Sequence, residues 1–512
     1  MPQDLIPSLA STLLLAALGS VALAEDSSVT VHNGGFAVVR ETIDLELGRG
    51  VNELSFTEVT AHLEPDSVIL RDASGRRTVQ VLEQNYRNDP VSQQLLLSLY
   101  EGRTLDFLVG TDKDGQPRTV QGRVIRSGYV PHHNAWNRYG QAYIQRQSAL
   151  MGQQNQPIIE VDGQLRFSLP GQPLFPALDD DSVLKPTLHW QLQTDRPGKE
   201  KTELTYITGG MSWNADYNLV APEGSTGSED LIDLTGWVTV DNNSGRTFRS
   251  ASLKLMAGDV NKIAPGQEAD MLYARAEMSN LRQMGYVNQV SEKAFDELHL
   301  YTLGRETTLR DRETKQIEMM RAESVKAKRL YVYDGAAIGN NYRGWNPEAI
   351  RQDRNYGTVS NNKVWVMREF ENTEANGLGL PLPKGRMRFY RQDTDGTLEF
   401  VGENVIDHTP KDETVRVYTG NVFDLVGERK QTNYRVDNNR DELFESFEIE
   451  LRNRKEEPVE VIVVEHLYRW VNWEIQDATD AYEKTDARTV EFKVLLAPGE
   501  EKKISYTAHY TW

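Results

Sequence analysis

The stretch from Phe447 to Leu467, FEIELRNRKEEPVEVIVVEHL, limits the fold more than any other part of the chain. Phe447, Ile449 and Leu451 alternate with Glu448, Glu450 and Arg452, the period of a strand with one buried face. A polar loop with Asn453 and Pro458 follows. The run Val459 to Val464 is then almost wholly β-branched and too short for a typical helix, which suits a strand covered on both faces. Together they predict an antiparallel strand pair. The same grammar occurs in WVTVDNNSGRTFRSASLKL from Trp237 and in VWVMREFENTEANGLGLPLPKGRMRFYR from Val364. Each is a strand ending near an Asn, a loop and a return strand. The irregular spacing of the copies excludes a solenoid.

Strand-and-turn text also fills the amino-terminal half. A meander of short strands is expected from Ser28 to about Leu82, with a short helix around Leu95, Leu96 and Leu99. Strands with hairpin turns at Asp114-Gly115 and Asp162-Gly163 follow, and a small β-barrel is expected over about Leu95–Leu169. At 512 residues the chain exceeds the roughly 250 to 300 residues of a single core, and three regions are expected after a leader: 25–185, 186–335 and 363–512. The fold class is all-β, as several stacked antiparallel β-sandwich (Ig-like) domains. One amphipathic helix, Gln267 to Met284, interrupts the strands, with Met271, Ala274, Met278 and Leu281 on one stripe. Two polar, aromatic loops, Tyr129–Gln156 and Ala336–Asn362, read as mobile connections rather than functional ones.

The first 24 residues hold an apolar core ending in Ala22-Leu23-Ala24 ahead of Glu25-Asp26, a secretory leader with a small-x-small cleavage site. The region before that core has Asp4 and no Lys or Arg. The core is shorter than the roughly 20 residues of a spanning helix, so no transmembrane segment is expected after cleavage. The mature protein is expected to begin at Glu25 and to be periplasmic or extracellular. There is no Cys, hence no disulfide framework or lipid-attachment thiol. A net charge of -19 with no long basic run argues against nucleic acid as a partner.

Local signatures of catalysis are missing: H-E-x-x-H, G-x-S-x-G, Walker A and G-x-G-x-x-G do not occur. Glycosidase carboxylates come from distant strands and leave no such signature. The adjacent His132 and His133 point to opposite faces in a strand and lack acidic or Cys neighbours at ligand spacing, so a polar loop is the better reading than a metal. Asp112 and Asp114, like Asp393 and Asp395, begin as calcium loops do, but Asp-Gly at a hairpin explains both. Asp179-Asp180-Asp181 reads as a solvated loop. No cofactor and no metal are expected.

GGMSWNADYNLVAPEG from Gly209, GWVTVDNNSGRTF from Gly236, LYTLGRETTLRDRETKQ from Leu300 and HLYRWVNWEI from His466 occur in that order. Together they resemble the bacterial domain-of-unknown-function 4139 family, over roughly Lys185 to Trp512. Its distant relatives include mucoidy inhibitor A, which points to surface polysaccharide. Those relatives carry a coiled coil where this chain has the expected barrel. The resemblance implies an all-β exported protein and supplies no catalytic residues.

Aromatic side chains supply the candidate binding residues, because they stack on sugar rings or partner side chains when exposed and fill cores when not. Tyr468 and Trp470, two apart, would share a strand face, with Trp473 on the other. Trp136, Tyr139 and Tyr143 lie in the first loop and Tyr342 and Trp345 in the second. Met271, Met278 and Leu281 would form a docking stripe if they do not cap their own domain. For these three, for Tyr468, Trp470 and Trp473, and for Trp213 and Tyr217, core filling is the commoner role. The sequence reads as an exported cell-envelope binding or scaffold module whose partner is an envelope protein or polysaccharide. The alternatives are a carbohydrate-active hydrolase and a lectin-like module.

Overall fold

A computed structural model of the chain describes residues 24–72, 79–88, 91–129, 156–176, 185–223, 229–258, 260, 262, 290–338, 342, 344–437 and 441–512. The leader, His132-His133, Asp179-Asp180-Asp181, the helix at 267–284 with Met271, Met278 and Leu281, and the loop aromatics Trp136, Tyr139 and Tyr143 lie outside the described residues. The chain divides into two compact units. One takes the described residues up to 213 and those within 241–286 and 295–315, and the other those within 214–240, 287–294 and 316–512. Strands dominate both. Among the described residues no helix is long and apolar enough to cross a membrane.

In the first unit the Ala24–His32 strand pairs antiparallel with Phe36–Leu47 and parallel with Phe248–Ala257. Gly198–Gly209 runs antiparallel to Phe36–Leu47 along its whole length. Inward positions carry Val29, Val31, Val39, Ile43, Leu204 and Tyr206, all fully buried. Glu41 breaks the apolar phase and is buried with them. Arg246 meets its two oxygens with two 2.7 Å hydrogen bonds, so the charge is paired where it could not be solvated.

The expected small barrel is an open sheet. Its order is Gln172–Leu174, Thr104–Thr111, Pro117–Arg126, Ile158–Val161 and Gln164–Arg166, and its two outer strands do not pair with each other. The helix Gln93–Leu99 supplies Leu97, which packs with Leu105, Phe107, Val124, Ile159 and Val161. A helix covering one face removes the need to close the sheet on itself.

The second unit corrects the expectation that the strand phrases are hairpins. Glu442–Asn453 pairs with Thr414–Asp437 and Glu501–Thr511, whereas Val459–His466 pairs with Thr489–Leu496 and, in parallel, with Glu313–Asp334. The two strands of the phrase therefore belong to different layers. Phe447, Ile449 and Leu451 meet Val459, Val461, Val463, Phe492 and Tyr506 in the core between them. The copy around Asn372 behaves alike, with Lys363–Glu371 next to Glu313–Asp334 and Thr414–Asp437, and Gly385–Gln392 next to Leu398–Ile406 and Met211–Ala221. In the first copy the return strand Phe248–Ala257 belongs to the first unit, where it pairs with Ala24–His32 and Leu298–Leu303 and not with the strand before it. Parallel pairs occur beside the antiparallel ones among the described residues, so the sheets are not purely antiparallel.

An arch between layers leaves its corner carbonyls without ladder partners, and those groups must be satisfied some other way. The Asn at the end of each phrase's first strand does this. Asn242, Asn372 and Asn453 are fully buried. The Asn453 carboxamide donates to the carbonyls of Glu457, Leu496 and Ala497 and accepts from the Lys455 amide. Asn242 donates to Arg246, Leu309 and Arg310 and accepts from Ser244. Asn372 donates to Leu380 and Pro410 and accepts from Gly379. The thrice-used phrase is a core-building corner with an Asn latch.

Candidate functional site

The described part of the second aromatic loop is not a loose connection, contrary to the sequence reading. That part takes in residues 336–338, 342 and 344–362 and contains the helix Pro347–Gln352, whose N-cap Asn346 accepts from the Ala349 amide at 2.8 Å. Proline at the first helical position fixes the backbone angle there. Seven backbone carbonyls between residues 350 and 361 accept hydrogen bonds from side chains of the second unit. Arg469 reaches Ile350, Asp353, Arg354 and Tyr356, and Arg429 reaches Gly357 at 2.9 Å. Gln431 also reaches Arg354, Tyr434 reaches Arg351, and Tyr333 reaches Asn361.

Strand alternation aims these groups. Gly427, Arg429 and Gln431 share the inward phase of Thr414–Asp437, and a bulge between Gln431 and Asn433 re-aims the strand so that Tyr434 turns inward. Gly427 is required where it stands, because a Cβ there would lie 2.3 Å from the Tyr333 ring.

Two buried ion pairs anchor the loop. Arg469 binds both oxygens of Glu445 at 2.9 and 2.8 Å. Arg429 places Nε 2.9 Å from both oxygens of Glu465, with its guanidinium 3.6 Å from the centre of the Phe447 ring. Tyr506 donates a 2.5 Å hydrogen bond to the same carboxylate. Burial opposes the charge on both arginines, but the adjacent carboxylates more than offset it and hold both guanidinium groups protonated. Burial also pushes the Tyr506 phenol well above its usual range, with Glu465 adding to the effect. Beside the loop His466 bonds Asp334 at 3.1 Å, and this raises its pKa above that of free imidazole against the pull of burial.

The candidate aromatics divide into two groups. Tyr342 meets Trp345 and Tyr356 edge-on at 5.0 and 5.2 Å, and Trp345 is 39% exposed. Tyr468, Trp470 and Trp473 do not share a strand as the spacing predicted, because Val459–His466 ends before Tyr468 and Trp473 opens a separate strand, Trp473–Gln476. Tyr468 stacks on His466 at 4.9 Å, and burial pushes its phenol up to about 12. Trp470 stacks on Trp512 at 5.7 Å, and Trp473 donates its indole N–H to Ala487. Trp470 and Trp473 pack half-buried against the sandwich core. Trp213 and Tyr217 are core residues, donating to the carbonyls of Met256 and Pro383.

The two calcium-like sequences are turns: Asp112 accepts from the amides of Asp114 and Gln116, and Asp395 from Thr397. Among the described residues no three acidic or imidazole groups gather as metal ligands would. A small cavity lined by Asp44, Glu46, Phe56 and Trp190 has room for about one water.

Sequence reasoning missed Arg429, Glu445, Glu465 and Arg469. For three of them the signal was present: Arg429, Glu445 and Glu465 are buried charged residues within strands, as Glu445 is between Leu443 and Phe447, whereas Arg469 follows the end of Val459–His466. No curated protein and no solved structure matches the chain. A model of the family described as a domain of unknown function (DUF4139) matches residues 202–512, and the chain belongs to that family.

Proposed function

We propose that this is an exported cell-envelope protein that acts by binding, and that the loop from Tyr342 to Asn362 is its recognising element. The observation behind this reading is the cost of holding the loop. Removing paired charges from water costs several kcal/mol per ion before their attraction is counted, and a mere connection needs no such anchor. A loop already fixed loses little freedom on binding, so more of its contact energy appears as affinity. It presents Trp345, an aromatic of the kind that dominates interface energetics. Export is part of the proposal, and the first described strand is Ala24–His32, so cleavage before Glu25 would take only its terminal residue, opposite Ile43.

Immobilised protein and its Trp345→Ala variant, exposed to bacterial envelope extract, test the reading. The variant should keep the wild-type melting temperature and lose the captured material. Equal capture by both would remove the loop from the function. If the captured material is polysaccharide and quenches Trp345 fluorescence, the module is lectin-like.

A further inference from the structure

A second site, independent of the loop, lies in the second unit, where buried charges do not balance. Asp230 follows the inward phase of Ile232 and Leu234 on Glu229–Asn242 and is fully buried. Three arginines from three other strands converge on its carboxylate: Arg329 at 2.7 Å, Arg368 at 2.8 Å and Arg391 at 3.1 Å. Arg329 and Arg368 stand directly opposite in the ladder, a placement that like charges oppose. Lys455 extends the cluster through Tyr331, 2.8 Å from its ammonium, and Glu457 pairs with that lysine at 2.6 Å. Among the described residues these four cations make ion pairs with two carboxylates, Asp230 and Glu457, a surplus of two positive charges within ion-pair distance in a chain whose formal net charge is -19.

Arg368 shows where the imbalance falls. Only 4% of the residue is exposed, and among the described residues its Nη1 finds no hydrogen-bond acceptor. Burial, with Arg329 and Arg391 adding to it, lowers its pKa to about 10 despite Asp230. Arg391, with 29% of its side chain exposed, opens the cluster to solvent. Its ladder partners are Ala221 on one side, too small to shield it, and Glu399 on the other, which makes no ion pair with it.

We propose that this cluster binds a dianionic phosphate group, whose two charges match the excess and whose oxygens accept from several guanidinium groups at once. The group is either the free ion or the terminal monoester of a larger molecule. A phosphodiester, with one charge, leaves half of the excess uncompensated.

Isothermal titration of the full chain at pH 8 and fixed ionic strength, with chloride as the balancing ion, tests this. Inorganic phosphate should bind at one site, and Arg391→Gln should weaken it at least tenfold, with Arg391→Lys in between. Melting curves of both variants verify that they remain folded. Glucose 1-phosphate binding more tightly than inorganic phosphate identifies a phosphate carried on a larger molecule, and the reverse order identifies the free ion. Heats of phosphate no different from those of chloride, undiminished binding by Arg391→Gln, or a glycerol phosphodiester binding as tightly as the monoester would each overturn the proposal.

Discussion

Replacing Asn453 by Ala tests whether the arch corners depend on their latch. The substitution deletes donors to three carbonyls and an acceptor for one amide, at distances of 3.0, 3.4, 3.0 and 2.9 Å. A net hydrogen bond contributes about 0.5–1.5 kcal/mol, and a buried group left without a partner costs about 1–3 kcal/mol. The Glu457 and Ala497 carbonyls and the Lys455 amide are only partly buried and recover some hydration, while the bond to Leu496 is fully buried. The sum is about 3 kcal/mol. With a urea m-value of about 3 kcal/mol/M for a unit of this size, the unfolding midpoint of the second unit should fall by about 1 M, followed by near-ultraviolet circular dichroism. Asn433→Ala, at an exposed position of the neighbouring strand, is the control and should leave the midpoint in place. Asn453→Asp should be worse than Ala at neutral pH, because a buried carboxylate would face three carbonyls. Burial raises the pKa of that new group, so its penalty should shrink as pH falls. Matching midpoints for Asn453→Ala and Asn433→Ala would refute the latch.

Glu465→Ala strands the Arg429 charge in the core and should cost about 3–5 kcal/mol, whereas a joint Arg429→Met and Glu465→Leu change should cost much less in the same urea assay. Ile449→Asp places a carboxylate among apolar groups and should cost several kcal/mol, while Glu450→Ala on the opposite face should leave the melting temperature unchanged; equal losses would mean that the strand's two faces have been misassigned. The folded pKa of His466 is raised, so its contribution is complete below the unfolded value of about 6.5 and is lost as pH rises through the folded value. Wild-type stability should therefore decline across that window more than that of His466→Gln, in thermal melts recorded from pH 5 to 9.

Much of this architecture is written in two-residue periodicity. Phe447, Ile449 and Leu451 are buried and their neighbours half-exposed as the alternation requires. Pairing was not legible, because a strand has the same period whether its sequence neighbour lies beside it in one sheet or across the core in another. The Asn at the end of each phrase's first strand was visible, but its meaning needed carbonyls from far along the chain as well as local ones. The functional groups obey the same logic. Asp230, Arg329, Arg368 and Arg391 stand in phase with Ile232, Ala327, Phe370 and Phe389, so a charged residue at a core position of a strand was the signal. Sequence could not join them, since they come from four strands. The aromatics were the more conspicuous feature, and Trp470 and Trp473 are largely structural.

Hydrogen exchange across residues 344–362 of the free protein addresses the central claim, that the recognising loop is held before any partner arrives. Its amides are bonded as well as its carbonyls, with Ile350 to Asn346, Asp353 to Ala349 and Asn361 to Gly335. Protection approaching that of the flanking strands is the predicted result. Exchange at the rate of an unstructured chain would contradict the account.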